Sequence, residues 1–370
     1  MNLSLLLLAL LAQPPAPDAF PQRYLEPIEQ SFPLRQEQYN QVGKYVQEQI
    51  AQAPAKRAQF FQPDYSSPEA YRASTVPLRE ALCRRIGFPP PGVKEGTEAR
   101  YEPVAEDGYS TIYRMRLEVL DGVEVYGILW IPKDLQGKAP LLICQHGGGG
   151  NPELIGTFQG DAEHGVSNYG WMVQRGLQAG FVCWAPALLF PYGGKEPIEG
   201  PDRKALDRQL KQVGTSILGL ELYKLKRGLD EVLKRPEVDA ERVGMMGLSY
   251  GGAYTLYFAA VDERIDAAVS SCYFNRREDY GWEDWSFFNH FNEFADPEIC
   301  GLICPRALIV EVGEKDDLFN IDGARATAPQ AAAHWEKLGL QDRFRFATFP
   351  GGHEFWGDGA YEFVKANLRE

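Results

Sequence analysis

Short, nearly uninterrupted apolar runs set the pattern of the second two-thirds of this chain, and each one ends in glycine or a polar loop. Residues 140–144 (Pro-Leu-Leu-Ile-Cys), 307–312 (Ala-Leu-Ile-Val-Glu-Val) and 346–349 (Phe-Ala-Thr-Phe) are of strand length, and Arg242-Val243-Gly244-Met245-Met246 is another such run. The runs at 140–144 and 307–312, with little polar alternation, fit buried strands of a parallel sheet, and 346–349 reads as a last short strand. Ahead of them, residues 112–119 alternate apolar and polar side chains. After the turn dipeptide Asp121-Gly122, residues 123–131 read as a second strand, which predicts a hairpin opening the sheet. Residues 21–97 carry a different period. The stretch 36–52 has roughly helical spacing, and Leu78, Leu82 and Ile86 fall on one face of a helix over 77–86. The pattern predicts a proline-punctuated helical extension over 21–97 packed on an α/β domain over 98–370, closed by a helix around 359–368.

Candidate chemistry lies where the runs end. Gly247-Leu248-Ser249-Tyr250-Gly251 places a serine between two glycines just after a strand-like run. A strand that turns abruptly into a helix strains its turn residue, and only small neighbours two positions away on each side let the backbones pass. Ser249 is therefore the candidate nucleophile. The run at 140–144 empties into Gln145-His146-Gly147-Gly148-Gly149-Gly150, whose uncovered N–H groups suit a developing oxyanion. The candidate donors are Gly147 or Gly148 together with Tyr250. Gly313-Glu314-Lys315-Asp316-Asp317 follows the strand at 307–312. Asp316 is the preferred acid to orient a histidine, with Asp317 and Glu314 as competitors. His353, in Pro350-Gly351-Gly352-His353, completes the chain order serine, acid, histidine.

Taken as an ordered set, these motifs make residues 100 to 370 resemble the α/β-hydrolase superfamily, and within it the branch of dienelactone hydrolases and acetyl xylan esterases. The stretch 235–244 before the elbow, Asp262-Glu263-Arg264-Ile265, Cys304-Pro305-Arg306 and Gly352-His353-Glu354 add to the likeness. The resemblance implies an eight-stranded, mostly parallel sheet flanked by helices, with a serine hydrolase site at the carboxyl ends of the strands and no cofactor. Two departures narrow it. Dienelactone hydrolases proper use a cysteine where Ser249 stands, and glucuronoyl esterases carry an arginine where Tyr250 stands.

Composition sets limits on partners. The 370-residue chain is 44% hydrophobic and carries a net charge of −13. It lacks the basic face that phosphate binding needs, which argues against nucleic acid. About 100 residues before the hairpin cannot build a propeller, which argues against the peptidases that carry one. Residues 3–12 are leucine-rich, too short to span a bilayer, and precede a proline-rich segment. Residues 1–16 are expected to be a signal peptide, cut near Ala12 or Ala16 although no basic residue precedes Arg23, giving a secreted or periplasmic protein with no stable membrane insertion. Cys144 and Cys183 fall in apolar runs and read as buried thiols, while Cys300 and Cys304 have poor ligand spacing, so no metal is expected.

The insertion 273–294 is dense in aromatic side chains, and Tyr273, Trp282 and Trp285 are candidate pocket residues for a sugar or aryl group. Arg276 and Arg277 are candidates to meet a substrate carboxylate, and the loop 188–194 and His164 are expected near the mouth of the site. The expected function is hydrolysis of short-chain, acetyl-type esters of carbohydrates or other small molecules by a Ser-His-Asp triad. A peptidase or amidase with the same triad is the alternative, and a non-catalytic binding protein on this fold the more distant one.

Overall fold

Apolar runs that cannot face water on either side become the middle of a sheet covered on both faces. The structure is a computed structural model that describes residues 21–94, 96–157, 162–190 and 202–369; of residues 162–165 it describes the backbone alone. It contains a nine-stranded sheet in the order β1-β2-β3-β5-β4-β6-β7-β8-β9. The strands are β1 (Arg100–Glu106), β2 (Ser110–Leu120), β3 (Val123–Pro132), β4 (Ala139–Gln145), β5 (Val182–Pro186), β6 (Val238–Leu248), β7 (Ala267–Ser271), β8 (Ala307–Gly313) and β9 (Phe344–Phe349). Pairing is antiparallel from β1 through β2 and β3 to β5, and parallel from β5 through β4, β6, β7 and β8 to β9. This is the α/β-hydrolase fold, with one strand more than the eight expected. The periodicity gave no sign of β1, because its strand is mostly exposed and holds Pro103.

Both faces of the central strands are dry. In β4, Leu141 and Ile143 join one core cluster while Leu142 and Cys144 join the other. β8 divides in the same way, Leu308, Val310 and Val312 against Ala307 and Ile309. Period-two side-chain direction in a strand with no polar face therefore yields two cores, one on each side. The first is walled by the helices Pro68–Ile86, Ile217–Val232, Tyr250–Val261 and Asp296–Ile303, the second by Met172–Gln178 and Ala360–Ala366. The hairpin forms as expected, Gly122 turning at φ 72° between β2 and β3.

By compactness the chain divides into two units, one up to Ala51 and one from Gln52 onward. In the first, a 3-10 turn (Ile28–Ser31) leads into the helix Phe32–Phe60, which contains the expected helical stretch 36–52 and whose last residues, from Gln52 on, belong to the second unit. The expected signal segment 1–16 lies outside the described residues. The helix expected over 77–86 begins earlier, at Pro68, because Ser67 caps it by accepting from Ala70 N–H, and Gly87 at φ 69° ends it. It belongs to the second unit. There Tyr71 donates to the Gly301 carbonyl (2.9 Å) and Arg79 to that of Ala260 (2.8 Å), tying this helix to the elbow helix Tyr250–Val261 and to Asp296–Ile303. Among the described residues no helix is long and apolar enough to cross a membrane.

Candidate active site

β4 has β5 on one side and β6 on the other, so the strand order reverses at its carboxyl end. A crevice opens at such a switch point, and the loops that leave neighbouring strands line it. Here β4 delivers His146 and the glycine loop, β6 Ser249, β7 Cys272, β8 Asp316 and β9 His353.

Ser249 sits at φ 60°, ψ −120°, a region a serine occupies only under constraint, and it heads the elbow helix Tyr250–Val261. Its flanking glycines are a steric necessity. A Cβ on Gly247 would stand 2.4 Å from the Gly251 carbonyl oxygen, and one on Gly251 would stand 2.2 Å from that of Gln145. Ser249 N–H donates to the Ser271 carbonyl (2.9 Å), which anchors the elbow to β7. The residue is 8% exposed.

Of the three acids at the end of β8, Asp316 faces the histidine, with Oδ2 2.9 Å from His353 Nδ1. Its other oxygen, Oδ1, accepts the N–H groups of Leu318 and Phe319, both at 2.9 Å. Burial opposes ionisation of this carboxyl, but the His353 contact and the two N–H donors outweigh it and hold it below the ordinary aspartate value. An ionised Asp316 can only accept, so Nδ1 carries the proton and Nε2 keeps a free lone pair to act as a base. Asp317 is exposed, and Glu314 is turned to Arg325 (3.2 Å). The two loops meet closely, since a Cβ on Gly313 would stand 2.1 Å from the Gly352 carbonyl oxygen.

The glycine loop is pinned by His146, which is buried. Leu188 N–H donates to its Nε2 (2.9 Å), so Nδ1 carries the proton and donates to the Gly147 carbonyl (2.8 Å). Burial pushes its pKa down to about 4, so the ring is neutral near pH 7. The two expected donors of this loop differ. Gly147 N–H is spent on the Tyr169 hydroxyl (3.0 Å), which leaves Gly148 the better placed of the two. Tyr250 is the first residue of its helix, where backbone N–H groups have no intrahelical acceptor.

Aromatic rings run from Tyr250, the residue after Ser249, to His353. Tyr250 packs on Phe190 (4.5 Å) and Trp285 (4.6 Å), Trp285 on Trp282 (4.2 Å) and Phe319 (5.9 Å), and Phe319 stacks on His353 (5.6 Å). Of the candidate pocket residues, Tyr273 and Trp285 are buried, and Trp282 keeps part of its surface. Arg276 and Arg277 are both committed to acids, Arg276 to Asp279 (2.8 Å) and Arg277 to buried Asp296 (2.6 Å). Residues 191–194 of the expected mouth loop and the His164 side chain lie outside the described residues.

Sequence reasoning missed the support behind this wall. Buried Arg203 donates to Asp284 (2.7 Å) and Glu221 (2.7 Å), and Asp284 accepts from the Tyr250 hydroxyl (2.9 Å). Glu221 stood out in sequence as a lone acid in the apolar stretch Leu218-Gly219-Leu220-Glu221-Leu222, and that signal could have been used. Cys272, at φ 47°, was missed as well. Its sulfur lies within 4.8 Å of a carboxylate oxygen of Asp316 and a ring nitrogen of His353. Burial and the Asp316 charge push this thiol up, so it stays protonated and donates to the Glu354 carbonyl (3.4 Å).

Comparisons with known proteins agree with this fold. Residues 161–339 match the model of the Dienelactone hydrolase family, a segment that includes Ser249 and Asp316 and stops before His353. YtaP of Bacillus subtilis (strain 168), which carries a provisional hydrolase name, is 22% identical over 231 residues, 60% of this chain and 75% of that protein. The glucuronoyl esterase from Solibacter usitatus superposes with a TM-score of 0.61 at 16% identity, covering 82% of this chain and 94% of that one. Acetyl xylan esterase 1 from Thermoanaerobacterium sp. JW/SL YS485 gives a TM-score of 0.52 at 18% identity, covering 85% and 98%.

Proposed function

We propose that this chain, which has the α/β-hydrolase fold and a Dienelactone hydrolase family segment over 161–339, is a carboxylic ester hydrolase that works through a serine acyl-enzyme. The observation that carries the reading is that one end of the sheet holds both a strained elbow serine and a histidine 2.9 Å from a buried aspartate. In the reading, His353 Nε2 takes the proton of Ser249 as its oxygen attacks the ester carbonyl. Asp316 keeps the ring in the right tautomer and stabilises its cation. The N–H groups of Tyr250 and Gly148 meet the oxyanion, and the charged His353 returns its proton to the departing alcohol. Water then follows the same route to release the acid. No step calls on a cofactor or a metal.

The proposed substrates are short-chain, acetyl-type esters of carbohydrates or other small molecules. The partly exposed ring of Trp282, backed by Trp285, supports a flat ring on the substrate. Similarity in fold to an acetyl xylan esterase and a glucuronoyl esterase supports a carbohydrate setting. The leader-like residues 1–16 support a secreted or periplasmic one.

The test is hydrolysis of p-nitrophenyl esters of graded chain length and of acetylated xylo-oligosaccharides by the full chain, with Ser249→Ala in parallel. Acetyl release should exceed release of longer acyl groups and fall by several orders of magnitude in the variant. Equal release by both proteins, or none from any ester, would overturn the reading.

A further inference from the structure

The loop that carries His353 is gripped by a carboxylate to which the reaction gives no task. Glu311 lies in β8, 1% exposed, the lone charge in an apolar strand. Its Oε1 accepts the N–H groups of Trp356 (3.0 Å) and Gly357 (3.1 Å), and its Oε2 also accepts that of Gly357 (3.1 Å). Arg175 donates to the carbonyls of the same two residues, at 3.0 and 2.6 Å, so the peptide between Trp356 and Gly357 is held on both polar sides. The Ser271 hydroxyl lies between the Glu311 carboxylate and the Glu354 carbonyl (3.3 Å). The main chain of Glu311 joins the net as well, its carbonyl accepting Cys272 N–H at 2.8 Å. Because Ser249 N–H bonds the Ser271 carbonyl, the elbow, β7, β8 and the histidine loop share one hydrogen-bonded frame.

The environment of Glu311 makes it costly. Ser271 on β7, Arg345 on β9 and the N–H groups of Trp356 and Gly357 face it, and among the described residues none forms an ion pair with it. Burial pushes its carboxyl above the ordinary glutamate value. A buried acid whose partners are N–H groups of one short loop costs stability, and what it returns is the position of that loop.

We propose that Glu311 is a positioning residue: it fixes the backbone just beyond His353 and so sets the imidazole against Asp316. The inference rests on the hydrolase reading above, and the experiment separates the two. In Glu311→Gln, an NH2 donor replaces one of the acceptor oxygens that face Trp356 and Gly357. In the full chain, kcat on the best ester should fall about 100-fold, as expected when a catalytic group shifts by about an ångström. KM should stay within about twofold, because the substrate wall is untouched. The far-downfield proton resonance expected of the His353–Asp316 bond in the wild type should weaken or move in the variant. Ser271→Ala, a milder cut in the same net, should lower kcat by a smaller factor.

Unchanged kcat and an unchanged proton signal in Glu311→Gln would overturn the proposal, as would a lower melting temperature with normal turnover. If Glu311→Gln does not fold, Ser271→Ala decides, and unaltered kcat there overturns it. If the wild type hydrolyses no ester, the functional reading fails, and the proton signal still tells whether Glu311 holds His353.

Discussion

At the scale of single residues, the choice between Asp316 and Asp317 shows what a loop can hide. Both are acids at the end of the same strand, and nothing in their order says which turns inward. The turn decides it: Leu318 and Phe319 aim their N–H groups at Asp316, whose side chain is fully buried while Asp317 is exposed. Asp316→Asn should therefore lower kcat on the order of 10³- to 10⁴-fold, since an amide can hold the wrong tautomer and cannot stabilise an imidazolium. Asp317→Asn should change it less than about twofold. Steady-state kinetics of the two variants check this, and a dead Asp317→Asn beside an active Asp316→Asn would refute the assignment. Gly147 teaches the same lesson. Its place in a glycine loop was legible, but the Tyr169 hydroxyl that takes its N–H comes from a distant helix.

At the scale of elements, the elbow depends on how closely two backbones approach. A methyl group on Gly251 would meet the main chain of Gln145 and His146, which cannot give way as a flexible side chain could. Gly251→Ala should cost about 3 kcal/mol, at the upper end for overpacking, read as a lower urea midpoint with the slope unchanged. A loss below about 0.5 kcal/mol would mean that the turn relaxes easily. This element was legible because its sequence rule is steric. The buried parallel strands were legible too, since 140–144 and 307–312 form where the apolar run lies, and 346–349 also forms a strand, though as a less buried edge. The strand β1 was not, because its pairing with β2 supplies what its own side chains do not. The Arg203, Glu221 and Asp284 cluster that backs Tyr250 was hidden for a related reason. Its members come from three separate segments, and only folding brings opposite charges together.

At the scale of the whole molecule, burial of neutral histidines links stability to pH. His290 stacks on Phe287 (4.0 Å), and burial pushes its pKa down to about 3, against about 6.5 in an unfolded chain. Below about pH 6.5 the unfolded chain binds a proton at this site that the folded one refuses, so His290 makes stability fall as pH falls. Asp266, Glu298 and Glu311, whose carboxyls are raised by burial, work in the opposite sense, and a comparison of variants isolates the histidine. The stability gap between wild type and His290→Phe should move in favour of the variant by about 1.4 kcal/mol per pH unit between about pH 6 and pH 4. Denaturant melts across that range check it, and a constant gap would refute it. The sheet itself has one further consequence at this scale. β1 is one of its two edge strands, carries Arg100, Glu102 and Glu106, and breaks register with β2 between Pro103 and Ala105. A charged, kinked strand with a proline lacks the regular row of donors that another chain could copy. On that flank the molecule resists edge-to-edge aggregation, and the strand least visible in the sequence is the one that keeps neighbouring copies from zipping onto the sheet.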